Sequence, residues 1–175
     1  MREKITVLIA DDNQEFSMTL ATYLKNQDDM VLVGRAKDGN EALDMIPNLM
    51  PDVVLLDVIM PHLDGIGVLE KLNMIKMNKR PICIMLSAVG QDKITQRALE
   101  LGAEYYAIKP FDIITLLKRI KEIRKYRQQP QFLNSNINNY NINVTFFIDG
   151  LFLENQSFIK KPVWLTGFLY KIRLL

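Results

Sequence analysis

The chain has one cysteine, one histidine and one tryptophan in 175 residues. A single thiol excludes an internal disulfide framework, and one thiol with one histidine excludes a zinc framework. Cys83 lies within the apolar run Ile82 to Leu86, which reads as a structural thiol in a reducing compartment. Long hydrophobic runs are missing as well. The apolar run after the charged N-terminus stops at Asp11 and Asp12, too short for a signal-peptide core, and no stretch approaches the roughly 20 apolar residues of a membrane span. A cytoplasmic protein without a membrane partner is therefore expected. Nor does one sign of charge dominate: 22 Lys and Arg face 20 Asp and Glu, so nothing announces nucleic acid. Beyond Lys125 the charges thin to Arg127, Lys160, Lys161, Lys171 and Arg173 against Asp149 and Glu154. Apolar residues are plentiful at 49%, enough to fill a core.

Those apolar residues fall in a repeating order. Ile5 to Ala10, Val31 to Ala36, Val53 to Asp57, Ile82 to Leu86 and Glu104 to Ile108 are short runs, several apolar on both faces, as strands of a buried parallel sheet must be. Between and after them, 14–26, 39–47, 65–75, 92–101 and 112–126 show apolar residues every three or four positions. Leu116, Leu117, Ile120 and Ile123 make one such stripe. Strand and helix alternating five times predict an α/β fold, a five-stranded parallel doubly wound sheet with helices on both faces.

Residues 128–143 are rich in Gln and Asn and read as a linker, which leaves 1–127 as one domain. In the apolar tail, 144–175, Asp149-Gly150 sits between two apolar runs and predicts a hairpin. A lone hairpin is marginal in water, so the tail is expected to be a truncated or altered segment with no core of its own.

In an open parallel sheet the functional crevice lies at the carboxyl ends of the strands. Asp11 and Asp12 end the first strand, Asp57 the third, Ser87 the fourth and Lys109 the fifth. Three carboxylates in one cleft repel one another unless a divalent cation lies among them, and hard oxygen ligands suit Mg²⁺. Phosphoryl transfer asks a protein mainly for positioning and charge neutralisation, and a carboxylate can be the nucleophile. The set is sufficient for an aspartyl phosphate.

Ile9-Ala-Asp-Asp-Asn, Leu55-Leu-Asp-Val-Ile-Met-Pro-His-Leu-Asp-Gly, Met85-Leu-Ser-Ala and Ala107-Ile-Lys-Pro-Phe-Asp, in this order and spacing, resemble the response-regulator receiver family over roughly Lys4 to Lys125. Pro61-His-Leu-Asp-Gly, the run from Ile84 to Ala98 and Leu101-Gly-Ala-Glu-Tyr-Tyr are similar to the stage 0 sporulation branch of that family. The resemblance implies a flavodoxin-like receiver fold with Asp57 as phosphoacceptor. Asp12, Asp57 and the main-chain carbonyl of Ile59 would be Mg²⁺ ligands, with Asp11 helping through water. Lys109 and Ser87 would hold phosphoryl oxygens, Tyr106 would be the aromatic switch, and the Lys109–Pro110 bond would be cis. The implied partners are a histidine kinase or a histidine phosphotransfer protein, with room for a phosphorylation-dependent homodimer. The receiver would catalyse only its own phosphorylation and dephosphorylation. Ile59 and Val89, apolar and branched beside the acceptor and the serine, would shield the phosphoryl group from water.

Blander readings stand beside these. Asp12 or Asn13 would serve as a helix cap. His62, in a turn with no paired carboxylate in sight, reads as a surface residue rather than a phosphocarrier. The basic run Lys118 to Arg127 reads as a solvated face that complements a helix dipole. A phosphatase of related topology needs an acid two residues after its nucleophile, where this chain has Ile59. An intact sporulation-type transcription factor needs a DNA-binding domain, and no helix-turn-helix pattern follows the linker, so specific DNA binding is not expected.

Overall fold

The computed structural model describes residues 3–88, 92–128, 146–148 and 151–153. The chain divides into two units, 1–128 and 129–175. In the first, strands β1 (Ile5–Ala10), β2 (Met30–Ala36), β3 (Val53–Asp57), β4 (Ile82–Ser87) and β5 (Tyr105–Ile108) alternate with helices α1 (Gln14–Lys25), α2 (Gly39–Leu49), α3 (Gly65–Met74), α4 (Asp92–Glu100) and α5 (Ile113–Arg127). The sheet order is β2-β1-β3-β4-β5 and every pairing is parallel. This is the flavodoxin-like receiver fold, with its topological switch between β1 and β3.

β3 and β4 are buried along their whole length. Side chains alternate across the pleat, so the sheet feeds two cores. Val7, Ile9, Val53, Leu55, Ile84 and Leu86 pack with Leu20 and Leu24 of α1 and with Leu116, Leu117 and Ile120 of α5. Leu8, Val54, Leu56, Cys83 and Met85 pack with Ile46 of α2, Val68, Leu69 and Leu72 of α3 and Ala98 of α4. Each fully buried leucine contributes roughly 2 kcal/mol. Cys83 is one of these core residues, and burial pushes its thiol up to about 12, as befits an inert structural group.

Helix starts are set by polar side chains. Asn13 accepts the Phe16 N–H at 3.0 Å, Asp38 the Glu41 N–H at 2.9 Å, Asp64 the Gly67 N–H at 2.6 Å and Asp112 the Thr115 N–H at 2.8 Å. α2 runs on through Pro47 to Leu49, beyond the 39–47 that the pattern predicts. The proline sits in the last turn, where it forfeits only one helical bond, and Met50 closes the helix in the left-handed region with its N–H on the Ile46 carbonyl.

Two glycines bring the β3–α3 loop down onto its neighbours. A Cβ at Gly65 would lie 2.2 Å from the main-chain oxygen of Asp57, and one at Gly39 2.4 Å from that of Leu63. The close approach fixes where Asp57 sits relative to α2 and α3.

The basic run on α5 is not simply a solvated face. Lys121 pairs with Asp29 at 3.0 Å, Arg119 with Glu122 at 2.8 Å, and Arg127 with Glu104 while also donating to the Arg80 carbonyl at 2.7 Å. In the second unit, β6 (Phe146–Ile148) pairs antiparallel with β7 (Leu151–Leu153). The Asp149-Gly150 turn itself, the linker beyond Gln128 and the rest of the tail lie outside the described residues. Among the described residues no helix is long and apolar enough to cross a membrane.

Candidate functional site

The carboxyl ends of β1, β3, β4 and β5 converge on one cleft. Asp11 follows β1 and is buried, Asp12 beside it is exposed, and Asp57 is the last residue of β3. One oxygen from each of Asp11, Asp12 and Asp57 lies within 4.8 Å of the others. Lys109 reaches in from the end of β5, donating from Nζ to Asp11 Oδ2 at 2.8 Å and standing 3.3 Å from Asp57 Oδ1. Ser87, fully buried, ends β4, and its main-chain carbonyl accepts the Lys109 N–H at 2.6 Å. The Lys109–Pro110 bond is cis.

Asp57 is only 7% exposed. Burial pushes its carboxyl up to about 6, the Lys109 ammonium pulls it down, and the Asp11 carboxylate adds a smaller push upward. An anionic cluster with one internal cation and a buried carboxyl pushed toward its neutral form is a setting that a divalent cation would relieve. The donors are all hard oxygens, two buried and one open to solvent, and they fit Mg²⁺.

Other predicted residues lie around this centre. Ile59, two residues past Asp57, is 59% exposed. Tyr106 is half-buried on β5 and packs on the core shared with α2, α3 and α4. Val89 lies outside the described residues. The helix cap on α1 is Asn13 rather than Asp12, which leaves Asp12 for the cleft. His62 requires a correction: a carboxylate does face it, Asp38 Oδ2 at 3.2 Å from Nδ1, because the turn after β3 folds back onto the start of α2. The ring remains largely in solvent.

The structure also adds residues that the sequence did not single out. The Lys109 ammonium lies 4.3 Å from the centroid of the Phe16 ring, and Phe111 meets that ring edge-on with centroids 5.8 Å apart. The available signal was positional: Phe16 is three residues past a helix cap and Phe111 two past Lys109.

Fold and cleft together define a signalling module with an acidic pocket at the switch point of a doubly wound sheet. Residues 7–121 match the response regulator receiver domain family, and the chain belongs to that family, the phosphoacceptor modules of two-component systems, which bind Mg²⁺ through acidic residues. It is similar to the response regulator domain of Thermotoga maritima CheB, at 32% identity over 70% of this chain and 98% of that one, with a TM-score of 0.64. The signal receiver domain of the putative response regulator NarL from Mycobacterium tuberculosis is 29% identical over 71% and 98%, with a TM-score of 0.66. A chain of the Borrelia burgdorferi CheX–CheY–BeF3–Mg²⁺ complex is 31% identical over 69% and 90%, with a TM-score of 0.60.

Proposed function

We propose that Asp57 accepts a phosphoryl group from the phosphohistidine of a kinase or phosphotransfer protein. The observation that carries this reading is the near-buried Asp57 carboxylate, held at a cleft mouth with Lys109 Nζ 3.3 Å away and two further carboxylates beside it. An Asp57 oxygen attacks phosphorus, the P–O bond forms as the P–N bond breaks, and the imidazole nitrogen keeps the electron pair. Lys109 takes up charge on the phosphoryl oxygens, and the Ser87 hydroxyl hydrogen-bonds one of them. Tyr106 then follows inward, changing the surface formed by α4, β5 and α5. Bound Mg²⁺ would neutralise the phosphoryl oxygens; Asp12, Asp57 and the Ile59 carbonyl would hold it, with Asp11 helping. The similar chain from the CheX–CheY complex with BeF3, a mimic of the phosphoryl group, and Mg²⁺ supports this reading. Incubation with acetyl phosphate and Mg²⁺ should add one phosphoryl mass to the chain and none to Asp57→Ala. An equal gain in both would overturn the assignment.

The finer reading is a sporulation phosphorelay, supported by the Pro61-His-Leu-Asp-Gly and Leu101-Gly-Ala-Glu-Tyr-Tyr segments. A sporulation phosphotransfer protein should phosphorylate this chain faster than a chemotaxis kinase does. Equal or reversed rates would remove the sporulation role and leave the receiver intact. Cytoplasmic location, homodimer formation on phosphorylation and lack of specific DNA binding complete the proposal.

A further inference from the structure

Four contacts around the cleft close into a ring. Lys109 Nζ donates to Asp11 Oδ2 at 2.8 Å, and Asp11 Oδ1 accepts the Asn13 N–H at 2.9 Å. Asn13 Oδ1 accepts the Phe16 N–H at 3.0 Å, and the Phe16 ring lies 4.3 Å from Lys109 Nζ. The first turn of α1 is thereby tied at one end to the carboxylate and at the other to the ammonium. Phe111, two residues past Lys109, meets the Phe16 ring at an interplanar angle of 80°, so the ring's tilt is fixed from the β5 side as well. Both rings are partly buried against the core shared by α1 and α5.

An ammonium 4.3 Å from a ring centroid is within range of the electron-rich face, and the attraction strengthens where water is excluded. Lysine has a flexible stem and loses rotamer freedom when its head is held in one place. Asp11 and Asp57 hold the head from the polar side, and without the ring its opposite side would be met by solvent or by an aliphatic group indifferent to charge. We infer that Phe16 is a positioning residue for phosphoryl transfer: its ring face, braced by Phe111, keeps the Lys109 ammonium at the mouth of the cleft, ready for the incoming phosphoryl oxygens.

This inference rests on Asp57 and Lys109 being the acceptor and its counter-charge. The test follows phosphorylation of the full chain by acetyl phosphate with saturating Mg²⁺, read as initial rate by mass. Phe16→Leu should slow the reaction about three- to tenfold. Phe16→Tyr, which keeps an electron-rich face, should restore most of the rate. Pentafluorophenylalanine at position 16 keeps the shape and reverses the ring's quadrupole, so it should behave like leucine even though packing is preserved. Phe111→Leu should give a smaller loss. If pentafluorophenylalanine matches the wild-type rate, the ring acts by shape alone and the inference fails. Unchanged phosphorylation of Asp57→Ala would instead remove the acceptor assignment, which keeps the two failures distinguishable.

Discussion

Asp57 carries its charge against its surroundings. Burial lifts its carboxyl to about 6, above the 3.8 of an unfolded chain, and Lys109 offsets only part of that. Between these values the folded chain keeps a proton that the unfolded chain has released, so stability falls as pH rises through the window and stays lower above it. Screening by solvent at the cleft mouth leaves an effect of about 1 kcal/mol. In metal-free protein, Asp57→Asn should raise stability by about that much at pH 7.5, and by progressively less as pH approaches 4. Urea denaturation at several pH values checks this; a gain independent of pH would assign the effect to packing. Mg²⁺ should reverse the ranking by stabilising wild type more than the variant, since it binds the folded carboxylates alone. The site carboxylates were legible because each ends an apolar run, where sheet geometry obliges side chains to converge. Phe16 was not, because an aromatic at helical spacing looks the same whether it fills a core or faces an ammonium. The Asp38–His62 pair was hidden for a different reason: it depends on a left-handed turn at His62 that periodicity does not encode.

Among the elements, strand limits were read almost to the residue, since an apolar run in a buried parallel sheet ends where the chain meets water. β3 was predicted and found at Val53–Asp57. Helix ends were harder, as α2 shows by passing through Pro47. Ion pairs on α5 were illegible because their partners, Glu104, Asp29 and Glu122, include residues on other elements. Burial raises the Glu104 carboxyl, and Arg127 and the Cys83 N–H at 2.7 Å oppose that rise. Arg127→Ala should therefore destabilise the protein by about 2 kcal/mol, less than a fully buried pair would show because part of the pair reaches solvent. Gly65→Ala tests the other constraint, the start of α3. A methyl placed 2.2 Å from the Asp57 main-chain oxygen forces helix and strand apart, at a cost of about 2 kcal/mol, and phosphorylation should slow because the proposed acceptor moves with its backbone. A stable, fully active Gly65→Ala protein would show that the loop yields freely.

At the scale of the whole molecule, every described residue of both cores lies within 1–128. A chain ending at Gln128 should therefore fold alone, with a thermal midpoint and an acetyl phosphate rate close to those of the full chain; loss of either would mean that the remaining residues support the receiver. Lys109 and Asp11, 98 residues apart in sequence, form the bond that completes the cleft. No local fragment contains it. On the proposed function, phosphorylation would double as a fidelity check on folding: a molecule with a misplaced β5 lacks the Lys109 ammonium beside Asp57 and should stay silent instead of sending a false signal. Destabilising changes far from the cleft should then dim the response by shrinking the competent population, with the turnover of each competent molecule unchanged.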